Sequence, residues 1–195
     1  MPYPAIMDEY LPDQIVSIHN VLRRERIPHA FGGAIALAYC GIPRYTHDID
    51  VNVFLPAGYA GQLLDVLATL FPIPNREEAQ SQLMQAAQTR LRWGEVPVDL
   101  YLANLPFHAA MATRVRTVDY VGTSIPVISA EDLIICKAAF DRPKDWADID
   151  AIMKVQRSDL DETYLERWLS ELFDPGDEQL RRIEAYLREV ENDRT

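Results

Sequence analysis

The chain has 195 residues, 48% of them hydrophobic, and a formal net charge of −11. That length suits one compact domain or a domain with a small appendage. The apolar fraction is that of an ordinary globular protein, which excludes disordered, collagen-like and disulfide-scaffold classes. The negative balance argues against a general nucleic-acid-binding surface. The acid is concentrated in the tail: residues 1–140 hold 14 acidic and 10 basic residues, and residues 141–195 hold 16 and 9. The start, MPYPAIMDEY, lacks the basic and apolar segments of a signal peptide. No stretch approaches the roughly 18 continuous apolar residues of a membrane helix. Cys40 and Cys136 stand in apolar surroundings and read either as buried free thiols, which a reducing cytoplasm fits, or as a disulfide pair.

The spacing of Ile15, Ile18, Val21 and Leu22 predicts a helix over 9–27, ended by Pro28. His29 to Phe31 read as a short strand leading into Gly32-Gly33, and Ala34 to Tyr39 as a helix closed by Gly41. Residues 48–55 alternate as a strand, and 59–70 form a helix before Pro72. Residues 89–93 and 96–102 form a hairpin around Gly94-Glu95, and 106–113 a helix. Residues 119–121 and 124–128 form a second hairpin around Gly122-Thr123. Ser129 caps a helix over 130–141, with Asp132 in the place of a capping-box acid. Helices over 144–156, 161–172 and 177–191 follow, the last two separated by Asp174-Pro175-Gly176. The order implies an α+β fold, a small mixed β-sheet flanked by helices, with a helical C-terminal part. The expected division is a core over 1–128 and a helical part over 129–195.

The chemistry is concentrated in a few residues. On a strand, Asp48 and Asp50 point to one face while Ile49, Val51 and Val53 point to the core. Paired carboxylates repel unless a cation compensates them, and Mg²⁺ takes oxygen ligands of this kind together with substrate phosphates. Gly32-Gly33, between a strand and a helix, reads either as a tight turn or as a backbone cradle for an anion. Asp99 interrupts the apolar run Val96 to Leu102. It is either a solvent-facing edge residue or the third carboxylate of a metal site. Lys137 stands almost alone among Leu133, Ile134, Cys136, Ala138 and Phe140. It reads as a snorkelling surface lysine or as a site residue. Asp145 can serve the first turn of its helix. Arginines cluster at Arg23, Arg24 and Arg26, at Arg90 and Arg92, and at Arg114 and Arg116, as solvated surface or as phosphate contacts. His29 and His108 lack metal-ligand partners at useful spacing. Trp93, Trp146 and Trp168 read as core aromatics.

This pattern resembles the nucleotidyltransferases of the DNA polymerase beta superfamily, which carry a glycine pair, Asp-x-Asp on a strand and a third Asp on a nearby strand. It is most similar to the branch of AbiEii-like toxins of bacterial type IV toxin–antitoxin systems. The residues that carry the likeness are Gly32-Gly33-Ala34-Ile35-Ala36, Gly41, Arg44-Tyr45-Thr46, Asp48-Ile49-Asp50, and the segment from Lys137 through Arg142 to Lys144-Asp145 and Asp148. The resemblance implies transfer of a nucleoside monophosphate from an NTP to RNA or tRNA, to a protein hydroxyl or to a small molecule such as an aminoglycoside. It implies Asp48, Asp50 and Asp99 as ligands of Mg²⁺ (or Mn²⁺), with Lys137 as a further catalytic residue. It puts Gly32, Gly33, Arg44, Thr46, Lys144 and Asp145 at the nucleotide. A cognate antitoxin is the implied protein partner, and the oligomeric state is left open. The alternative is a catalytically weak or inactive nucleotide- or partner-binding module on the same fold, with the acidic C-terminal helices as its working surface.

Overall fold

The computed structural model describes residues 10–192, so the reading of MPYPAIMDEY and the expected helix start at residue 9 lie outside the described residues. The chain forms two compact units. The first takes in the chain up to Gly33 together with Tyr45–Val127, and the second Ala34–Arg44 together with the chain from Ile128 onward.

The first unit is built on a six-stranded mixed sheet. Its strands are β1 (His29–Phe31), β2 (Ile49–Val53), β3 (Gln88–Trp93), β4 (Val96–Leu102), β5 (Arg116–Tyr120) and β6 (Thr123–Val127), in the order β3-β4-β2-β1-β6-β5. Strands β2 and β4 run parallel, as do β1 and β6, and the other neighbours are antiparallel. Ile49 and Val51 are fully buried, as the alternation on β2 predicts. Helix α1 (Leu11–Arg24) buries Ile15, Ile18 and Leu22 completely. Each of these side chains contributes roughly 1.5–3 kcal/mol of burial. The helix stops at Arg24 and not at residue 27, because Arg26 takes a left-handed φ of 57° and Pro28 disfavours helical geometry in the residue before it.

Helix α2 (Gly33–Tyr39) follows β1. A 3₁₀ turn over Ala57–Tyr59 opens α3 (Ala60–Leu67), so the expected 59–70 helix is shorter and preceded by a tighter turn. Helix α4 (Arg76–Ala86) has no counterpart in the sequence reading. Helix α5 (Pro106–Thr113) lies where it is expected. Phe71 stacks on Trp93 at 4.9 Å, which makes this tryptophan a core residue.

The second hairpin turns one residue earlier than expected, at Val121-Gly122. Both residues have positive φ, 51° and 77°, the conformation of a two-residue hairpin turn that suits strand twist. A β-branched residue is costly there. Val121 is also largely exposed, so its side chain contributes little packing. Val121→Asn is therefore expected to raise the unfolding free energy by ~1 kcal/mol. Urea denaturation at unchanged m-value measures this, and a variant no more stable than the parent would show that the valine costs nothing.

The second unit packs α6 (Ala130–Phe140) against α7 (Pro143–Val155) and α8 (Glu162–Leu172), and α8 against α9 (Glu178–Asn192). Its core includes Leu133, Ile134, Ile149, Ile152, Leu165 and Ile183. The Ser129 hydroxyl accepts from the Asp132 backbone N–H at 3.1 Å, the expected cap. The Asp132 carboxylate, fully buried, accepts from the Ser129 hydroxyl at 2.8 Å and from the Tyr164 hydroxyl at 2.7 Å. Helix α6 ends one residue early, because Asp141 adopts a left-handed φ of 54°. Trp146 lies under the Arg182 guanidinium at 3.7 Å, and Trp168 is buried, so both are structural aromatics. Cys40 and Cys136 are free thiols, the first buried and the second half-buried. Among the described residues no helix is long and apolar enough to cross a membrane.

Candidate functional site

In the first unit, the parallel pairing of β2 and β4 sets Asp50 directly in register with Asp99. Residues paired this way project from the same face of the sheet. Asp99 lies on an interior strand and is 7% exposed, so it is not the solvent-facing edge residue of one sequence reading. Asp48 lies one residue before β2. Its placement comes from Thr46, whose hydroxyl donates to the Asp48 carboxylate. His47 is exposed, its ring against Tyr45 at 4.5 Å.

The glycine pair meets Asp50 closely. The Gly32 backbone N–H donates to the Asp50 carbonyl at 2.9 Å. Gly33 has a φ of +50°, and a Cβ built on it would lie 1.7 Å from Asp50 Oδ2. Only glycine fits both the conformation and the space. The space that a side chain would fill belongs to the Asp50 carboxylate.

Asp99 is held from the other side by Arg90, its partner across the β3–β4 hairpin. Arg90 Nε donates to Oδ1 at 2.6 Å and Nη2 to Oδ2 at 2.7 Å. The hydrogen bonds it donates to Asp99, the charge of Asp99 and the further charge of Asp48 all push the guanidinium above its ordinary pKa. Arg90 is thus the cation that offsets these carboxylates as they stand. Among the described residues no three His, Cys, Asp or Glu side chains converge as a ready metal-holding group. Both Asp99 oxygens face Arg90. The donors nevertheless suit a hard divalent cation, because all are carboxylate oxygens. The Arg90 side chain is 60% exposed and has room to withdraw into water.

Sequence reasoning named Arg90 only as part of an arginine cluster. The signal lies in the expected hairpin: Arg90 and Asp99 stand four residues on either side of Gly94-Glu95, so the turn makes them face each other.

The second unit brings together Lys137, Arg44, Asp145 and Asp148. Lys137 projects from α6 and is 5% exposed, so it is not a snorkelling lysine. Its ammonium donates to Asp148 Oδ2 at 2.6 Å and to Asp145 Oδ1 at 3.4 Å. Asp145 and Asp148 lie three apart on α7 and share a face. Arg44 Nη2 reaches Asp148 Oδ2 at 3.3 Å, and Arg142 Nε reaches Asp145 Oδ2 at 2.5 Å. Burial alone would raise the Asp145 carboxyl, but the Arg142 hydrogen bond and the Lys137 charge outweigh it and hold the group below the ordinary carboxylate range. Lys144 is exposed and makes no ion pair among the described residues. The sequence quoted Asp148 within the motif without a role, and the structure makes it the closest partner of Lys137.

Comparison with known proteins bears on this arrangement. A family model described as nucleotidyl transferase AbiEii toxin, type IV toxin–antitoxin system, matches residues 19–194. No curated protein matches the chain. Among solved structures, it is similar to an antigenic nucleotidyltransferase-like protein from Paracoccidioides brasiliensis. That likeness has 16% identity and a TM-score of 0.53, over 94% of this chain and 89% of the other. It is also similar to the antibiotic-resistance factor ANT(2'')-Ia, at 14% identity and a TM-score of 0.54, over 96% and 98% of the two chains. At these identities the likeness establishes the nucleotidyltransferase fold of the α+β class.

Proposed function

The chain belongs to the nucleotidyl transferase AbiEii toxin family, and on that premise we propose that it moves a nucleoside monophosphate from an NTP to a hydroxyl acceptor on the carboxylate face of its sheet. The observation that carries this reading is the register of Asp50 with Asp99, with Asp48 two residues upstream and Gly33 keeping the space at Asp50 clear. In the reaction, an acceptor oxygen forms a bond to the α-phosphorus, the α–β phosphoanhydride bond breaks, and pyrophosphate leaves. Asp48, Asp50 and Asp99 would hold the divalent cation, Mg²⁺ or Mn²⁺. Such an ion supplies positive charge to the phosphates and acidifies the attacking hydroxyl.

The residues of the chain do the positioning. Thr46 fixes the Asp48 carboxylate. Gly32 ties the turn to the Asp50 backbone. Arg90 orients the Asp99 carboxylate through two hydrogen bonds and would withdraw from it where a cation is held. Asp99, once released, orients the acceptor hydroxyl or takes its proton. Gly32 and Gly33 border the triphosphate, and Arg44, Lys137, Lys144 and Asp145 belong to the nucleotide reading through the family motif. RNA or tRNA is the acceptor placed first, a protein hydroxyl second. The biological setting proposed is a toxin in the bacterial cytoplasm beside a cognate antitoxin.

The bidentate hold of Arg90 on Asp99 favours one second reading, a nucleotide-binding module that turns over weakly or not at all. Label transfer separates the two. With Mg²⁺, each α-labelled NTP, and total RNA or total protein, the parent chain is expected to label one acceptor class. Asp48→Ala/Asp50→Ala is expected to lower that signal by at least ~10³-fold, the scale of losing charge stabilisation at a phosphoryl centre. Nucleotide binding without label supports the module. The absence of both label and nucleotide-dependent stabilisation sinks the transferase reading.

A further inference from the structure

Asp99 is 7% exposed, and a single partner grips both of its oxygens. The Arg90 fork donates to Oδ1 at 2.6 Å and to Oδ2 at 2.7 Å, the planar bidentate geometry in which a guanidinium matches a carboxylate. A divalent ion such as Mg²⁺ needs carboxylate oxygens at about 2.1 Å. Each oxygen keeps a second lone pair, but an ion bound there would stand beside the guanidinium, and the two cations repel. Arg90 and a divalent ion are therefore competitors for Asp99.

The arginine has a second place to go. Strand β3 is an edge of the sheet, and along it runs a depression of about 590 Å³ whose lining includes Arg90, Arg92, Gln82 and Glu78. Glu78 is the acidic residue of that lining. It is exposed, accepts a hydrogen bond from Gln82 at 3.4 Å and makes no ion pair among the described residues. The Arg90 side chain is 60% exposed, so rotation about its own bonds moves it along the depression without disturbing the core. Arg92 provides the contrast. It projects from the same face of β3 two residues on, but its guanidinium reaches only the Glu95 carbonyl at 3.5 Å.

We propose that Arg90 is a two-position residue that gates the carboxylate site: without a divalent ion it holds Asp99, and when an ion takes Asp99 the guanidinium moves into the depression beside Glu78. A free ion has to break the ion pair to enter, which weakens its binding. An ion that arrives with a triphosphate brings phosphate ligands to the same displacement, so the pair favours entry of metal and nucleotide together. This inference rests on the transferase reading, as regulation of its carboxylate site.

The test is Mn²⁺ binding to the whole chain without nucleotide, followed by the paramagnetic resonance signal of the free ion. Arg90→Ala is expected to bind Mn²⁺ at least ~10-fold more tightly than the parent, because the ion no longer breaks charge-assisted hydrogen bonds. Arg92→Ala removes the same charge from a neighbouring exposed position and is expected to stay within about 3-fold of the parent. Adding Asp48→Ala/Asp50→Ala to Arg90→Ala is expected to abolish the tight binding, which places the ion at the carboxylates. Glu78→Gln is expected to weaken Mn²⁺ binding several-fold in the parent and to change nothing beside Arg90→Ala, the coupling expected of two groups that meet. If Arg90→Ala does not fold without the ion, Arg90→Lys keeps a charge but loses the fork, and it is expected to bind with an affinity between parent and alanine variant. Equal or weaker Mn²⁺ binding in the Arg90 variants makes Arg90 an orienting residue only and overturns the proposal. An equal gain in Arg92→Ala, or additive effects of Glu78→Gln, also overturns it. Label transfer is scored separately. Transfer by the parent with no gain in the Arg90 variants leaves the transferase reading and removes the gate. The gain without label or NTP stabilisation in the parent leaves the gate and removes the transferase reading.

Discussion

Gly33→Ala is expected to lower the stability of the chain by roughly 2–5 kcal/mol and to reduce label transfer to the level of the Asp48→Ala/Asp50→Ala variant. Two independent costs add. An L-residue at φ +50° costs about 1–2 kcal/mol, and forcing extra volume into a filled space costs about 1–3 kcal/mol. The added Cβ would lie 1.7 Å from Asp50 Oδ2 and 2.6 Å from its Cγ, so the carboxylate has to leave its place. Gly94→Ala is the control. Gly94 has a similar φ of +60°, and an added Cβ meets nothing within 4 Å. It should show the conformational cost alone and keep full transfer. Denaturation and label transfer on both variants decide the matter. Equal destabilisation and equal activity would mean that the contact with Asp50 constrains nothing.

The elements that were legible in the sequence are those whose local pattern and tertiary environment agree. Strand β2 alternates Ile49, Val51 and Val53 toward the core, and the structure buries all three. The β3–β4 hairpin is marked by Gly94-Glu95, and Ser129 announces the start of α6. Helix α4 shows the opposite case. Its eleven residues are nearly all good helix formers, but only Ala79 and Leu83 are buried. The helix packs on α3 and β3 and is tied by polar contacts, Arg76 donating to the Gly61 carbonyl at 3.0 Å and the Thr89 hydroxyl to Gln82 at 2.6 Å, so no apolar period marks it in the sequence. The turn at Val121-Gly122 differs from the expected Gly122-Thr123 for a related reason: a valine with positive φ runs against local preference.

The candidate site was legible in its members and not in their relations. Asp-x-Asp on a strand implies a common face, yet Asp48 falls just outside β2. Asp99 was visible as a polar break in an apolar strand. That β4 would pair with β2 in a register matching Asp99 to Asp50 is a long-range fact that no local pattern encodes. The same limit hid the partners of Lys137. An apolar helix face predicts burial around a lysine, but the carboxylates that make its burial tolerable come from the next helix. Local sequence revealed which residues are unusual for their surroundings, and topology supplied what each of them faces.

Lys137→Met is the second substitution with a large expected effect: stability should fall by roughly 3–5 kcal/mol, the cost of breaking a buried pair from one side. The methionine fills the volume, so the loss is electrostatic. Asp145 and Asp148 would remain buried, with only Arg142 and Arg44 to balance them. Lys137→Met/Asp148→Asn removes the closest stranded charge and should recover more than ~1 kcal/mol of the loss, a coupling expected of groups in contact. The pH dependence carries a sign that can be checked. Asp145 is held below the ordinary carboxylate value in the folded chain, so its contribution is present above the unfolded value of about 3.9 and is lost as pH falls through the folded one. Lys137 is among the groups that depress it, so the gap between variant and parent should narrow as pH drops below about 4. Denaturant titrations across that range, with and without NTP and Mg²⁺, also separate two roles for the lysine. A variant that melts within ~1 kcal/mol of the parent but no longer responds to nucleotide would make Lys137 a phosphate ligand. A variant that loses several kcal/mol while its remaining folded fraction still responds would make it a positioning residue, holding Asp145 and Asp148 in place through their ion pairs.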